Sequence, residues 1–148
     1  MSFFKGQEVY SIDSKGRVNI PAKMRKAISP EANDTFVLTR GVEKCIMAYP
    51  FDEWRKYEEK FEQLNQYDEK NRYFLRILLM WSEEVKIDAQ QRISVPKPLI
   101  DFSEIDSKVA IIGMIDHLEI WNPQIFQDYL KSRDESYAEI AEKVMINN

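Results

Sequence analysis

Two runs of alternating apolar and polar residues near the amino terminus predict a pair of strands. Residues 9–13 and 18–20 alternate in side-chain character, and a period of two is typical of a strand with one buried face. Lys15 and Gly16 lie between the two runs, and glycine readily adopts the positive φ of a tight turn. The segment is therefore expected to form a hairpin.

Further alternation and apolar runs predict two more strand pairs, each followed by a helix. The pairs are residues 35–40 with 45–49, and 108–113 with 118–121. Pro50 and Pro123 follow these pairs, and proline suits the first turn of a helix. Asn122 is a good N-cap for the helix at Pro123.

The predicted helices carry apolar stripes at helical spacing. Three stripes stand out: Trp54, Tyr57, Phe61 and Leu64; then Tyr73, Phe74, Ile77, Leu78 and Trp81; then Phe126, Tyr129 and Leu130, with Tyr137, Ile140 and Val144 as a continuation. The polar tail from Lys131 onward is expected to fray. The second stripe exceeds what a half-chain of this size needs to cover its own strands, and such surplus apolar surface marks a subunit interface.

The chain contains a diverged internal repeat. Residues 12–21 align with residues 87–96 at an offset of 75, which keeps the Ile, Asp, Arg and Pro positions and the branched character of two others. A second stretch aligns at an offset of 72 and matches Gly41 with Gly113 and Tyr49 with Trp121. Each half is therefore predicted to contain a hairpin, a short helical turn, a second hairpin and a helix.

The charge is unevenly distributed. The net charge of the chain is −4, but residues 1–28 hold six basic residues against two acidic ones, which gives +4 there and −8 elsewhere. Because salt screens charges beyond about 8–10 Å, the local sign decides whether a phosphate backbone is attracted. An acidic body with a basic amino-terminal segment is compatible with DNA binding through that segment.

Several other classes of protein are disfavoured. Cys45 is the single cysteine, so no internal disulfide is possible. The longest apolar run, residues 77–81, is too short to span a bilayer, because a membrane-spanning helix needs about 20 residues. No long apolar segment like that of a signal peptide occurs near the start, so a cytoplasmic protein is expected. His117 is the single histidine, so no metal site is expected, and no group of residues resembles a catalytic site or cofactor cradle.

The segment Asp13-Ser14-Lys15-Gly16-Arg17-Val18-Asn19-Ile20-Pro21-Ala22-Lys23-Met24-Arg25 resembles the MraZ family of bacterial transcriptional regulators. Asp88-x-x-x-Arg92 repeats the pattern, and Phe36–Gly41, Tyr49-Pro50, Trp54 and Glu119-Ile120-Trp121 extend the resemblance over roughly residues 4–135. It implies an α+β, mainly β fold of two swapped-hairpin, AbrB-like halves with accompanying helices. We place the first repeat at 4–54, connecting helices at 55–82 and the second repeat at 83–135.

The resemblance also implies a function. Family members form ring-like homo-oligomers that bind repeated promoter elements of the division and cell-wall gene cluster, typically as repressors, which implies a nucleoid-associated protein without enzymatic activity, cofactor, membrane contact or small-molecule substrate. By position, the DNA-facing motif falls on Asp13, Lys15, Gly16 and Arg17, and again on Asp88 and Arg92. The second copy departs from the pattern at Gln90 and Gln91, so it is expected to bind more weakly.

Two alternatives remain open at the residue level. Each arginine can contact DNA, because its planar fork fits guanine or phosphate, or it can simply pair with its own motif aspartate. Lys23, Arg25 and Lys26 can contact phosphates or form an ordinary solvated basic face. The chain as a whole can also be an antitoxin-like or scaffold module that binds proteins.

Overall fold

The computed structural model describes residues 3–147. Its strands are β1 Gln7–Ser11, β2 Arg17–Asn19, β3 Thr35–Arg40, β4 Cys45–Pro50, β5 Glu83–Lys86, β6 Arg92–Ser94, β7 Lys108–Met114 and β8 His117–Trp121. Its helices are α1 Ala22–Arg25, α2 Phe51–Glu62, α3 Glu69–Met80, α4 Lys97–Phe102, α5 Pro123–Lys131 and α6 Tyr137–Asn147. The predicted class, α+β and mainly β, is confirmed.

All strand pairing is antiparallel. Six strands form one sheet in the order β1-β7-β8-β4-β3-β5, and β2 pairs with β6 in a separate two-stranded ribbon. The β4–β8 pair lies at the centre of the sheet, and the strands on its two sides correspond through the sequence repeat. The predicted strand pairs β3–β4 and β7–β8 are confirmed.

The expected local hairpin of residues 9–20 is wrong in its pairing partners. The β1 strand pairs not with β2 but with β7, which begins only at Lys108. The β2 strand pairs with β6. In the second half, β5 likewise pairs with β3 rather than with β6. The two halves therefore exchange strands, which is the swapped arrangement that the family resemblance implies.

The main core lies between the ribbon and one face of the sheet. Val18 and Ile93 from the ribbon pack with sheet residues such as Leu38, Ile46 and Ile111, all almost fully buried. Burying a side chain of this size contributes about 1.5–3 kcal/mol. The repeat residues Met24 and Leu99, from α1 and α4, close this core together.

The opposite face of the sheet carries the longer helices. Trp54 of α2 packs on Val37 and Tyr49, while Phe126 of α5 packs on Trp121 and its neighbours. The protein is therefore layered, with the ribbon on one side of the sheet and the α2, α3 and α5 helices on the other. Among residues 3–147, no helix combines the length and apolar character needed to cross a membrane.

Helix starts match the sequence better than the carboxyl-terminal end does. Pro123 is the first residue of α5 and Asn122 accepts hydrogen bonds from the backbone of Gln124 and Ile125, whereas Pro50 ends β4 immediately before α2. The expected continuation of the last helix through a fraying tail is wrong. Residues 137–147 instead form a separate helix, α6, because the helix at Pro123 ends at Lys131 and the polar segment after it breaks the apolar stripe.

Candidate nucleic-acid interface

The two copies of the Asp-x-x-x-Arg motif fold into the same hydrogen-bonded turn. In the first copy, Asp13 Oδ1 accepts hydrogen bonds from the backbone N–H of Lys15 at 3.0 Å and of Arg17 at 2.9 Å. The backbone N–H of Gly16 donates to the Asp13 carbonyl at 3.0 Å. One aspartate thus organises the whole turn, which explains why the motif needs this residue type four positions before the arginine.

The second copy repeats this geometry closely. Asp88 Oδ1 accepts from the backbone N–H of Gln90 at 2.8 Å and of Arg92 at 2.9 Å, and Gln91 donates to the Asp88 carbonyl at 3.0 Å. In both copies the backbone N–H of the arginine is the largest cause that lowers the pKa of the aspartate, with the guanidinium adding to it. Both carboxylates are therefore held in the charged, accepting form.

The second oxygen of each aspartate orients the arginine. Arg17 Nε donates to Asp13 Oδ2 at 2.7 Å, and Arg92 Nε donates to Asp88 Oδ2 at 3.0 Å. Neither arginine uses its Nη groups in a hydrogen bond with a described residue. The aspartate pairing considered as an alternative is thus present, yet it leaves the outer fork of each guanidinium open to another acceptor.

The ribbon brings both motifs together. In its register Arg17 lies opposite Ser94, Val18 opposite Ile93 and Asn19 opposite Arg92. Because side chains alternate along a strand, the four polar residues share one face and the two apolar residues share the other.

That polar face points away from the sheet, since Val18 and Ile93 are buried against it. At ordinary strand dimensions the Cα atoms of the two arginines lie about 8 Å apart. A two-stranded ribbon of this size fits the major groove of B-DNA, where guanine offers two acceptors to one guanidinium.

The two turns carry different residues at the position that adopts positive φ. Gly16 has φ +78°, and a Cβ there would lie 2.7 Å from the Val95 carbonyl oxygen and 3.1 Å from Ile100 Cδ1. Its counterpart Gln91 adopts φ +65° with an exposed side chain, beside a cleft that Arg25 lines. The second turn therefore has room for a side chain that the first turn lacks.

The other basic candidates have distinct settings. Lys15 lies exposed on the first turn, and Lys23 on α1 is exposed with its Nζ 3.9 Å from Glu8 Oε1. Arg25 instead donates from Nη1 to the Ile20 carbonyl at 2.6 Å and is half-buried. The structure thus places Lys15 on the turn beside the ribbon, whereas the Arg25 guanidinium is bound to the backbone carbonyl of Ile20.

Asn19 lies on the polar face of the ribbon, but it is not among the residues predicted from the sequence to contact DNA. It follows Arg17 by two residues and therefore shares its face, as Ser94 shares the face of Arg92. The repeat offset of 75 relates Arg17 and Asn19 to Arg92 and Ser94. Together with the alternation along each strand, this offset could have identified Asn19 from the sequence.

Other chemistry-bearing residues are occupied within the fold. Asp116 accepts from Tyr57 Oη and contacts His117 Nδ1, both at 2.7 Å, and burial together with the Asp116 carboxylate raises the pKa of Tyr57 to about 12. Cys45 is buried, and this burial raises the pKa of its thiol. Among residues 3–147 no three metal-binding side chains cluster.

Similarity to known proteins extends over nearly the whole chain. The family model for the MraZ protein, whose description includes the term antitoxin-like, matches residues 3–77 and again 78–148. A protein of Natranaerobius thermophilus named Transcriptional regulator MraZ is 39% identical over 142 residues, which are 96% of each chain. Proteins of the same name from Halothermothrix orenii and Caldanaerobacter subterraneus are 40% and 41% identical, over 93% of this chain and 94% and 93% of theirs.

Proposed function

Because this chain belongs to the MraZ family of transcriptional regulators, we propose that it binds double-stranded DNA through the polar face of the β2–β6 ribbon. The observation that carries the proposal is the pair of turns with the same hydrogen-bond pattern, each of which presents an arginine fork on the polar face of the ribbon. The function is regulatory rather than enzymatic. The family resemblance supports repression of the division and cell-wall gene cluster by a cytoplasmic, nucleoid-associated protein.

In the proposed interface, the residues divide into two groups. Arg17 and Arg92 contact base edges or phosphates, with Asp13 and Asp88 orienting them and Gly16 shaping the first turn. Lys15 and Lys23 contact phosphates because both are exposed. Arg25 stabilises the interface through its hydrogen bond to the carbonyl of Ile20, the residue directly after β2.

A DNA titration tests the proposal. Fluorescence anisotropy with a duplex from the promoter upstream of this gene, against a shuffled duplex, should show preferential binding. The logarithm of affinity should fall with the logarithm of salt with a slope near −0.9 per neutralised phosphate. Equal affinity for the two duplexes, or no dependence on salt, would contradict the proposal.

The two turns should contribute unequally. Arg92→Ala is expected to weaken DNA binding less than Arg17→Ala, because Gln90 replaces the basic Lys15 on the second turn and Arg92 is less exposed, at 24% against 33%. Titrations of both variants on one duplex measure the difference. Equal losses would show that the halves contribute alike.

We also propose that the chain self-associates through its helical layer, away from the ribbon. A groove of about 530 Å³ lies between α2, α3 and the sheet, and aromatic and aliphatic side chains line most of it. Tyr73 on this groove is 64% exposed and Phe74 is 48% exposed. A homo-oligomer would then present several ribbons to repeated promoter elements and gain affinity by avidity.

Light scattering tests the assembly. The wild type should have a mass well above the 17.6 kDa of the monomer, and Tyr73→Glu should shift it toward the monomer because a charge in an apolar interface is costly. Tyr67→Glu is the matched control, since Tyr67 is 95% exposed and lies outside the groove.

A monomeric wild type would refute the assembly proposal. The same groove favours the second candidate function, an antitoxin-like module that binds another protein. That candidate would lead if the wild type proved monomeric and also failed to bind the promoter duplex.

A further inference from the structure

The β2–β6 ribbon has an approximate two-fold axis through its centre. The register is symmetric about the Val18–Ile93 pair, and the repeat offset of 75 relates these two residues to each other. The same offset relates Arg17 to Arg92 and Asn19 to Ser94. The backbone bonds obey it as well: Ile20 N–H donates to the Gln91 carbonyl at 3.0 Å, and Val95 N–H donates to the Gly16 carbonyl at 2.8 Å.

The polar face breaks this symmetry at its second position. Both arginines are kept, but Asn19 faces Arg92 across the ribbon whereas Ser94 faces Arg17. Asn19 Nδ2 donates to the Gln90 carbonyl at 3.1 Å. Ser94 Oγ makes no hydrogen bond with a described residue.

The bond to Gln90 prepares the Asn19 carboxamide for recognition. It restrains the orientation of the group while leaving Oδ1 as an acceptor and one N–H of Nδ2 as a donor. This donor–acceptor pair matches the N6 and N7 edge of adenine in the major groove. A serine hydroxyl can donate or accept one hydrogen bond and therefore pairs with several different bases.

We infer that Asn19 is a specificity-determining residue that reads an adenine on one side of the ribbon axis, so that a single ribbon recognises a non-palindromic element. The inference rests on the proposed DNA-binding function. Arg17 and Asn19 are two residues apart on one strand, which corresponds to about 7 Å, or roughly two base-pair steps. The two arginines occupy symmetric positions on the ribbon, even though the Arg17 contact is expected to be the stronger. The recognised element is therefore symmetric in the positions of its arginine contacts and asymmetric at the base beside them that Asn19 reads.

Selection from a duplex library with a randomised central block of about one helical turn tests the inference. The library is selected separately with four proteins: the wild type, Asn19→Ser, Ser94→Asn and the double exchange. The DNA sequences that each protein enriches are then compared. Asn19→Ser makes the two positions alike with a residue that the fold already accepts at the equivalent place, and Ser94→Asn makes them alike in the other way.

The four proteins should give a distinctive pattern. The wild type should enrich a non-palindromic element, and Asn19→Ser should lose roughly tenfold of the preference for adenine and enrich a palindrome. Ser94→Asn should enrich a palindrome with the adenine on both sides. The double exchange should restore the wild-type element, because it is the image of the wild type through the ribbon axis, and a duplex read from its other strand is the same molecule.

The outcomes separate the inference from the proposed function. If the wild type enriches no sequence, the DNA-binding function itself fails and the inference falls with it. If the wild type enriches an element and Asn19→Ser enriches the same asymmetric element, DNA binding stands and the role of Asn19 is overturned. A double exchange that does not restore the wild-type element would place the asymmetry outside these two residues and would also overturn it.

Discussion

Replacing Arg17 with alanine should abolish sequence-specific DNA binding while the protein remains folded. One guanidinium fork on guanine is worth about 1–3 kcal/mol, which is roughly 5- to 150-fold in affinity for each ribbon. An oligomer that engages several ribbons multiplies this loss. The fold should persist because the Arg17 side chain is 33% exposed and its contact with Asp13 lies at the surface, where such pairs add little stability.

Titration of the promoter duplex measures the loss of DNA binding, and a thermal melt measures whether the variant remains folded. Arg17→Lys is the informative companion, because it keeps the charge and loses the fork; it should retain salt-dependent binding to any duplex and lose the preference. Lys23→Ala is the control, an exposed cation off the ribbon whose loss should weaken binding to all sequences alike. Wild-type affinity in Arg17→Ala would remove this residue from the interface.

Gly16→Ala should be the most destabilising of the single substitutions considered, at roughly 2–4 kcal/mol from positive-φ strain and overpacking. The new Cβ would lie 2.7 Å from a backbone oxygen, that of Val95, which cannot move without separating β2 from β6. Urea unfolding at fixed protein concentration measures the change. DNA affinity should fall as well, because the clash lies under the turn that carries Arg17.

The second turn provides a matched control for Gly16. Gln91 occupies the equivalent position with φ +65° and an exposed side chain, so Gln91→Ala should leave stability almost unchanged. Gln91→Gly should stabilise the fold by up to about 1 kcal/mol, because glycine removes the strain of positive φ and this gain exceeds its entropy cost. A similar loss from Gly16→Ala and Gln91→Ala would show that the close contact with Val95 does not matter.

The repeat in the sequence predicted the architecture well because both copies keep the residues that local structure requires. Asp13 and Asp88 organise the same turn, and Met24 and Leu99 close the same core. The fold class and the central strand pairs follow from such local signals. The strand partners of β1 and β2 do not, since alternation reveals which face of a strand is buried but not which strand covers it.

The candidate site was predicted in part for the same reason. The arginines and aspartates stand in a recognisable motif, whereas Asn19 belongs to no motif, and its position opposite Arg92 follows only from the pairing of β2 with β6. Arg25 resembles the other basic residues in sequence, and only its contact with the Ile20 carbonyl distinguishes it. Whether a cation is free or tied to backbone depends on tertiary structure that a charge pattern does not contain.

The exchange of strands between the halves also sets the order in which the protein can be completed during synthesis. The β1 strand leaves the ribosome early, but its partner β7 begins only at Lys108. At a translation rate of about 5–20 residues per second, the basic amino-terminal segment waits roughly 5–20 seconds for its partners. A chain released before residue 92 lacks β6 and cannot form the β2–β6 ribbon within itself, so the proposed DNA-binding face is complete only once both halves have been made.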